Sequence, residues 1–267
     1  AGICNSQGIN IVLNMFFGPI ANAAYSISRQ VSNAVVSFAG NFTMAIRPPM
    51  IKNYASNDYA GVMKLFNIET KVTFLLMYML ILPIFINAPE ILRIWLGQVG
   101  DHMVDFVRLT LVYSLIVTMS NPITDIAQAA ARVKIYHGIV DGFTLLSLPI
   151  TIVLYKLGQP INCCYLVIIA TFSVAHVIRL FILKRIFSPF SIREYIKGIV
   201  LPMLLTIFSS AAIMACVRNS LGDSFFDTMI CCMSALSLVV LFCFFFLFGK
   251  SERQYISGII RAKFFKK

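Results

Sequence analysis

An all-α, polytopic transmembrane helix bundle of about eight spans is the fold this chain predicts. Apolar residues make up 59% of its 267 positions and charged ones 12%, against about 45–50% and about 25% in a soluble globular domain. The surplus falls into runs of about 17–29 residues divided by short basic segments, and about 20 apolar residues suffice to cross the hydrocarbon core. Phe occurs 23 times, often in blocks such as Leu241–Phe248 that suit lipid contact.

The first apolar segment, 5–18, is too short to span from the given start. With no initiator Met and no charged leader bearing a cleavage site, it is not a signal peptide. It reads as the later part of a helix, and the chain as a fragment or one half of a larger transporter. Residues 21–46 are long enough to span, yet Asn22, Ser26, Arg29, Asn33 and Ser37 recur three or four apart and so share one helix face. A charged group at a bilayer centre costs about 2.5–3.5 kcal/mol on insertion scales, so such residues usually face an interior or a water-filled cavity. Pro48 and Pro49 are expected to end this helix, since proline lacks the amide donor and disfavours helix in the residue before it.

Asn57 and Asp58 mark a turn, Gly61–Thr70 forms a short interfacial helix on this reading, and the next span runs 72–88. The following connection holds Pro89, Gly97, Gly100 and the single tryptophan, Trp95, whose amphipathic ring suits the headgroup level. Both connections read as packing elements. The span at 103–131 carries a second stripe, Ser114, Thr118, Asn121, Asp125, Gln128 and Arg132, and Asn121-Pro122 is placed to kink it. Two polar stripes on separate spans predict an aqueous interior. Further spans follow at 138–156, 160–183, 196–217 and 225–249. The tail 250–267 is basic, with interleaved aromatic and branched residues, and reads as an amphipathic anchor on anionic lipids.

The formal charge of +11 is explained by its placement. Alternating spans put Arg47, Lys52, Lys64, Lys71, Arg132, Lys134, Arg179, Lys184, Arg185, Arg193, Lys197, Lys250, Arg253, Arg261, Lys263, Lys266 and Lys267 on one side, which is 17 of the 22 basic residues. The positive-inside rule makes that side, and the C-terminus, cytoplasmic. Topology accounts for the charge, and no nucleic-acid partner is implied.

Arg29 sits about eight residues, or roughly 12 Å, below the outer end of its helix, whereas Asp125 sits about 22 residues, or roughly 33 Å, below its own. A bridge between them would need a slip of about 20 Å, so Arg29 lacks an obvious partner within this chain, and either a missing part of the protein supplies a carboxylate or the substrate supplies an anion. A guanidinium offers a planar fork of donors suited to phosphate, and an anionic substrate headgroup is the functional expectation, with a helix–helix hydrogen-bond anchor as the alternative. Asp125, Arg132, His137 and Asp141 are expected to form a local cluster at one hairpin end, with Asp125 or Asp141 as candidates for proton coupling. His176 and Arg179 lie where snorkelling accounts for them. The seven cysteines show no CxxC or Cys/His spacing and read as packing thiols, so no metal is implied. No nucleophile–base context or Gly-rich phosphate loop is present, and neither an enzyme nor a cofactor is expected.

The segment SQGINIVLNMFFGPIANAAYSISRQVSNAVVSFAGNF with the later RPPMIKNYAS resembles the bacterial polysaccharide-biosynthesis flippases, relatives of the multidrug and toxic-compound extruders and the lipid II flippases. The positions that carry the resemblance include Gln7, Gly8, Asn14, Phe16, Phe17, Gly18, Pro19, Asn22, Ala23, Pro49, Lys52 and Tyr54, with Ile91–Gly97 as an outer-loop pattern. Beyond the first hundred residues it is only hydropathic. The resemblance implies an inverted V of two six-helix lobes, this chain being the second lobe over 1–190, with two additional helices over 191–249 and the basic tail after them. It implies flipping of an undecaprenyl-diphosphate-linked oligosaccharide across the bacterial inner membrane through a cleft between lobes, so the N-terminal lobe is an implied partner, as is polysaccharide polymerase machinery. Arg29 would then contact the diphosphate or an acidic sugar. Asn22, Ser26, Asn33, Thr118 and Asn121 would line the cavity. A cation-coupled drug extruder and a non-transporting assembly scaffold are the competing expectations.

Overall fold

A computed structural model describes residues 2–222, 224–249 and 252–253, with the side chains of Ile3, Val133 and Ile135 outside the description. Among the described residues the chain is helical with no strands, and seven helices are long and apolar enough to cross a membrane. The protein is a multi-pass, all-α membrane protein.

The first helical run, α1 (Gly2–Ala55), is divided at Gly18, whose φ of 78° and ψ of −170° no L side chain adopts comfortably. Pro19 follows, with its φ already set for the first turn of a new helix. The chain folds back there. Tyr25 Oη donates to the Ser6 carbonyl across 19 residues, and Phe17 packs edge-on against Tyr155 beside the bend. The two predicted segments, 5–18 and 21–46, are thus arms 2–17 and 19–55 of one hairpin.

The second arm continues through Pro48 and Pro49 to Ala55, which corrects the expected stop. Tertiary contacts hold this last stretch helical against the prolines' preference. Met50 is fully buried, Arg47 bonds Asp125 at 2.9 Å, and Tyr54 packs on Phe187 and Tyr59. A second correction concerns the next element. The expected interfacial helix Gly61–Thr70 and span 72–88 are one continuous helix, α2 (Tyr59–Ile86), started by an Asp58 carboxylate that accepts from the Gly61 amide.

Short α3 (Ala88–Leu96) ends at Gly97 and leaves Trp95 half exposed. The next span breaks at Ser120, ahead of Pro122, into α4 (Met103–Met119) and α5 (Asn121–Ala129). Helices α6 (Val133–Leu145) and α7 (Ser147–Lys156) form one further crossing, and α8 (Cys163–Ile186) another. The short α9 (Ile192–Tyr195) feeds through a π-helical turn into α10 (Leu201–Asn219), and α11 (Phe225–Phe242) ends in a second π-helical turn, Cys243–Leu247.

Two buried clusters organise the bundle. One joins the first arm of α1, the top of the second arm, α4, α7 and α8 around Leu13, Tyr25, Phe106 and Tyr165. The other runs along α2 and gathers α4, α5 and the last two crossings around Phe66, Phe74, Leu111 and Ala235. The α10–α11 pair is fastened to α2 and α3 by Tyr78 Oη to Ser210 Oγ at 2.8 Å and by Arg218 to Glu90 at 2.6 Å. Lys71 of α2 also meets Glu252 at 2.7 Å. Of the tail, only 252–253 are described; the predicted surface anchor lies otherwise outside the described residues.

Candidate functional site

The second arm of α1 presents two polar faces. Ser28 and Ser32 point inward and are buried; Ser28 meets Tyr165 Oη at 2.6 Å and Ser32 meets Ser114 at 2.7 Å. The predicted stripe points the other way. Ser26, Asn33 and Ser37 are exposed, and Asn22 and Arg29 half-buried, so among the described residues that face is covered only in part. Ser37 donates to the Ala34 carbonyl of its own helix at 3.0 Å, whereas amide and guanidinium side chains such as those of Asn33 and Arg29 are costly against lipid.

Arg29 lies 11 residues beyond Gly18, about 16 Å along the helix at 1.5 Å per residue, within the middle of a hydrocarbon core about 30 Å thick. It edges a cavity of about 170 Å³, lined also by Asn5, Ser6, Tyr25, Tyr113, Tyr165 and Ile168. Among the described residues its guanidinium has no carboxylate partner, and the charge faces the hydroxyls of Tyr25, Tyr113 and Tyr165. Those rings are held in place. Tyr25 and Tyr165 pack at 5.7 Å, Phe106 closes on Tyr165 at 5.2 Å, and Tyr113 sits edge-on to Phe172 at 5.0 Å. The result is a fixed cation among aromatic rings and hydroxyl donors. Small-molecule pockets typically enclose about 300–1,000 Å³, so this cavity suits one phosphate or one sugar ring rather than a whole lipid-linked chain.

Asn22, Ser26 and Asn33 share the helix face with Arg29 without lining this cavity. Thr118 is buried and donates to the Ser114 carbonyl, and Asn121 is half-buried at the start of α5; neither joins Arg29. The second stripe is therefore mostly an interior seam. Ser114, Thr118 and Asp125 are buried against the chain's own helices, because α4 and α5 lie between α1, α2 and α8.

The expected hairpin cluster is also rearranged. Asp125 is 1% exposed and bonds Arg47, which was outside the expected cluster. Asp141 lies 3.4 Å from His137 at a half-exposed surface, and Arg132 is exposed. Snorkelling does not describe His176 and Arg179. Arg179 is buried and donates to Ser120 Oγ at 3.2 Å, and the same hydroxyl meets His176 Nδ1 at 2.9 Å. The Ser120 hydroxyl, at the junction of α4 and α5, thus meets both.

Glu69 was not foreseen as a site residue. It is fully buried in α2, beside Asp125, Arg47 and Thr43. A signal existed, because it is the only acidic residue between Asp58 and Glu90. Assigning 61–70 to the interface took it out of the membrane. No group of three or more His, Cys, Asp or Glu that could hold a metal occurs among the described residues.

No protein-family model matches the chain, and no curated protein or solved structure does. The class of the protein thus rests on its own sequence and geometry: a polytopic helix bundle with a cationic, aromatic cavity at mid-membrane depth.

Proposed function

We propose that this chain forms part of a flippase that moves a lipid-linked oligosaccharide across the bacterial inner membrane, with Arg29 contacting the phosphate or acidic sugar of the headgroup. The observation that carries the reading is the Arg29 cavity. An unpaired guanidinium at that depth is costly unless something anionic or aqueous meets it, and Tyr25, Tyr113 and Tyr165 supply the aromatic faces and hydroxyls that a sugar uses. The uncovered stripe from Asn22 to Ser37 continues that wet surface along the helix. It would face a cleft completed by another lobe, because alternating access needs two bodies rocking around one site. On the positive-inside rule, the ends bearing Lys52, Lys64 and Arg185 are cytoplasmic.

A cation-coupled drug extruder is the second reading, favoured by the buried Glu69–Asp125 pair. That pair lies 18 residues from Arg29 along α1, as judged at Arg47, or about 27 Å. It does not line the Arg29 cavity, which favours an anionic substrate.

Complementation decides between them. A strain deleted for the gene receives wild type or Arg29→Ala at matched membrane levels, and surface polysaccharide is compared with inner-leaflet lipid-linked intermediate. Loss of surface glycan with accumulated intermediate in both the deletion and Arg29→Ala is expected. Normal glycan in the deletion, in a strain without a second flippase, would sink the reading.

A further inference from the structure

The basic end of the bundle holds a trio whose charges do not balance. Asp125 and Glu69 are 1% and 0% exposed, and among the described residues the cation facing them is Arg47. Arg47 comes from α1, Glu69 from α2 and Asp125 from α5, with the Thr43 hydroxyl also facing Glu69 from α1. One guanidinium against two carboxylates leaves a net negative charge. Arg47 bonds Asp125 Oδ1 alone; Asp125 Oδ2 and both Glu69 oxygens are buried, and the Thr43 hydroxyl is the neutral donor that faces Glu69. A buried, uncompensated charge costs several kcal/mol, and orphaned acceptors add to it.

From this geometry we infer that Glu69 and Asp125 together bind one proton at the basic end of the bundle, forming with Arg47 a neutral trio. A single proton removes the excess charge and turns one carboxyl into an O–H donor, which satisfies an orphan oxygen of the other. Two carboxylates sharing a site hold a proton as a pair rather than as separate residues. A divalent metal fits worse. It would leave the trio with a net positive charge, whereas one proton leaves it neutral. The inference does not depend on flipping, since it concerns a site distant from the Arg29 cavity.

The test is infrared spectroscopy of the purified full chain in lipid nanodiscs, reading the deuterium-sensitive C=O stretch of protonated carboxylic acids at neutral pH. Wild type should show the band, and Asp141→Asn should keep it. Glu69→Gln and Asp125→Asn should each lose it, because one acid then pairs with Arg47 and no proton is needed. Arg47→Gln should roughly double it, since both acids then need neutralising. No band attributable to Glu69 or Asp125 would overturn the inference. So would loss of the wild-type band when sodium replaces choline at constant ionic strength, which would make a metal cation the occupant. Should Glu69→Gln fail to fold, the Asp125→Asn comparison and the wild-type sodium titration decide alone.

Discussion

Helix α1 and the α4–α5 pair carry the same sequence signature and turn it in opposite directions. Each shows polar residues three or four apart along a membrane span. On α4 and α5 Ser114, Thr118 and Asp125 are buried and bonded within the chain, with Asn121 half-buried among them. On α1 the row from Asn22 to Ser37 is left uncovered, while Ser28 and Ser32, off the stripe, make the inward bonds. Polar periodicity states that a helix has a polar face; what fills that face is decided by the neighbours. A row satisfied at home contributes to stability, and a row left open is available for function.

The comparison breaks most sharply at the two arginines. Arg47→Ala removes the cation that, among the described residues, faces a buried acid pair. Losing one partner of a fully buried ion pair costs about 3–5 kcal/mol; the Arg47 side chain is 41% exposed, so solvent screening lowers the expected loss to roughly 2–3 kcal/mol. The loss should shrink as pH falls, because protonation neutralises the two acids left behind. Arg29→Ala, by contrast, should leave thermal unfolding in detergent nearly unchanged while abolishing transport. Equal destabilisation by both would erase the distinction between seam and surface.

A smaller effect sharpens the seam itself. Ser32 and Ser114 bond each other at 2.7 Å in a buried setting, and interhelical hydrogen bonds of this kind average about 0.6 kcal/mol, with about 1.7 kcal/mol as the upper end. A double-mutant cycle of Ser32→Ala and Ser114→Ala should give a coupling in that range, whereas Ser26→Ala with Ser114→Ala should give none. A coupling for the second pair as large as for the first would mean that the stripe on α1 also packs inward.

Much of this architecture was legible in hydropathy. The crossings follow the apolar runs because backbone groups in lipid must be satisfied within the helix, and the reversal at Gly18-Pro19 follows from a glycine-only conformation next to a helix-starting proline. The separation of Arg29 from Asp125 could be counted along the helices. What could not be read is which side of a stripe the rest of the chain occupies. Pro48 and Pro49 misled for that reason, since burial of Met50 and the Arg47–Asp125 bond outweigh a local preference against helix. Glu69 was missed through the same boundary. At the candidate site, Arg29 stands out in the sequence as a charge within a polar stripe on an apolar span, but Tyr113 and Tyr165 are contributed by helices distant in sequence, and no periodicity links them to it.

The least perturbing experiment bears most directly on the open face. In a background lacking the seven native cysteines, Ser26→Cys, Asn33→Cys and Thr118→Cys should each change stability by less than about 0.5 kcal/mol for the two exposed positions, and somewhat more for the buried one. A charged maleimide reacts with a thiolate, which forms in water and not in hydrocarbon. Labelling at positions 26 and 33 but not at 118 is expected if the α1 stripe borders water. An absence of labelling at both 26 and 33 would mean that lipid or a tightly fitted protein surface covers the stripe, and an aqueous pathway along α1 would have to be given up. Seven residues, about 10 Å of helix, separate the two thiols, so the pair also measures how far along the helix water extends beyond the Arg29 cavity.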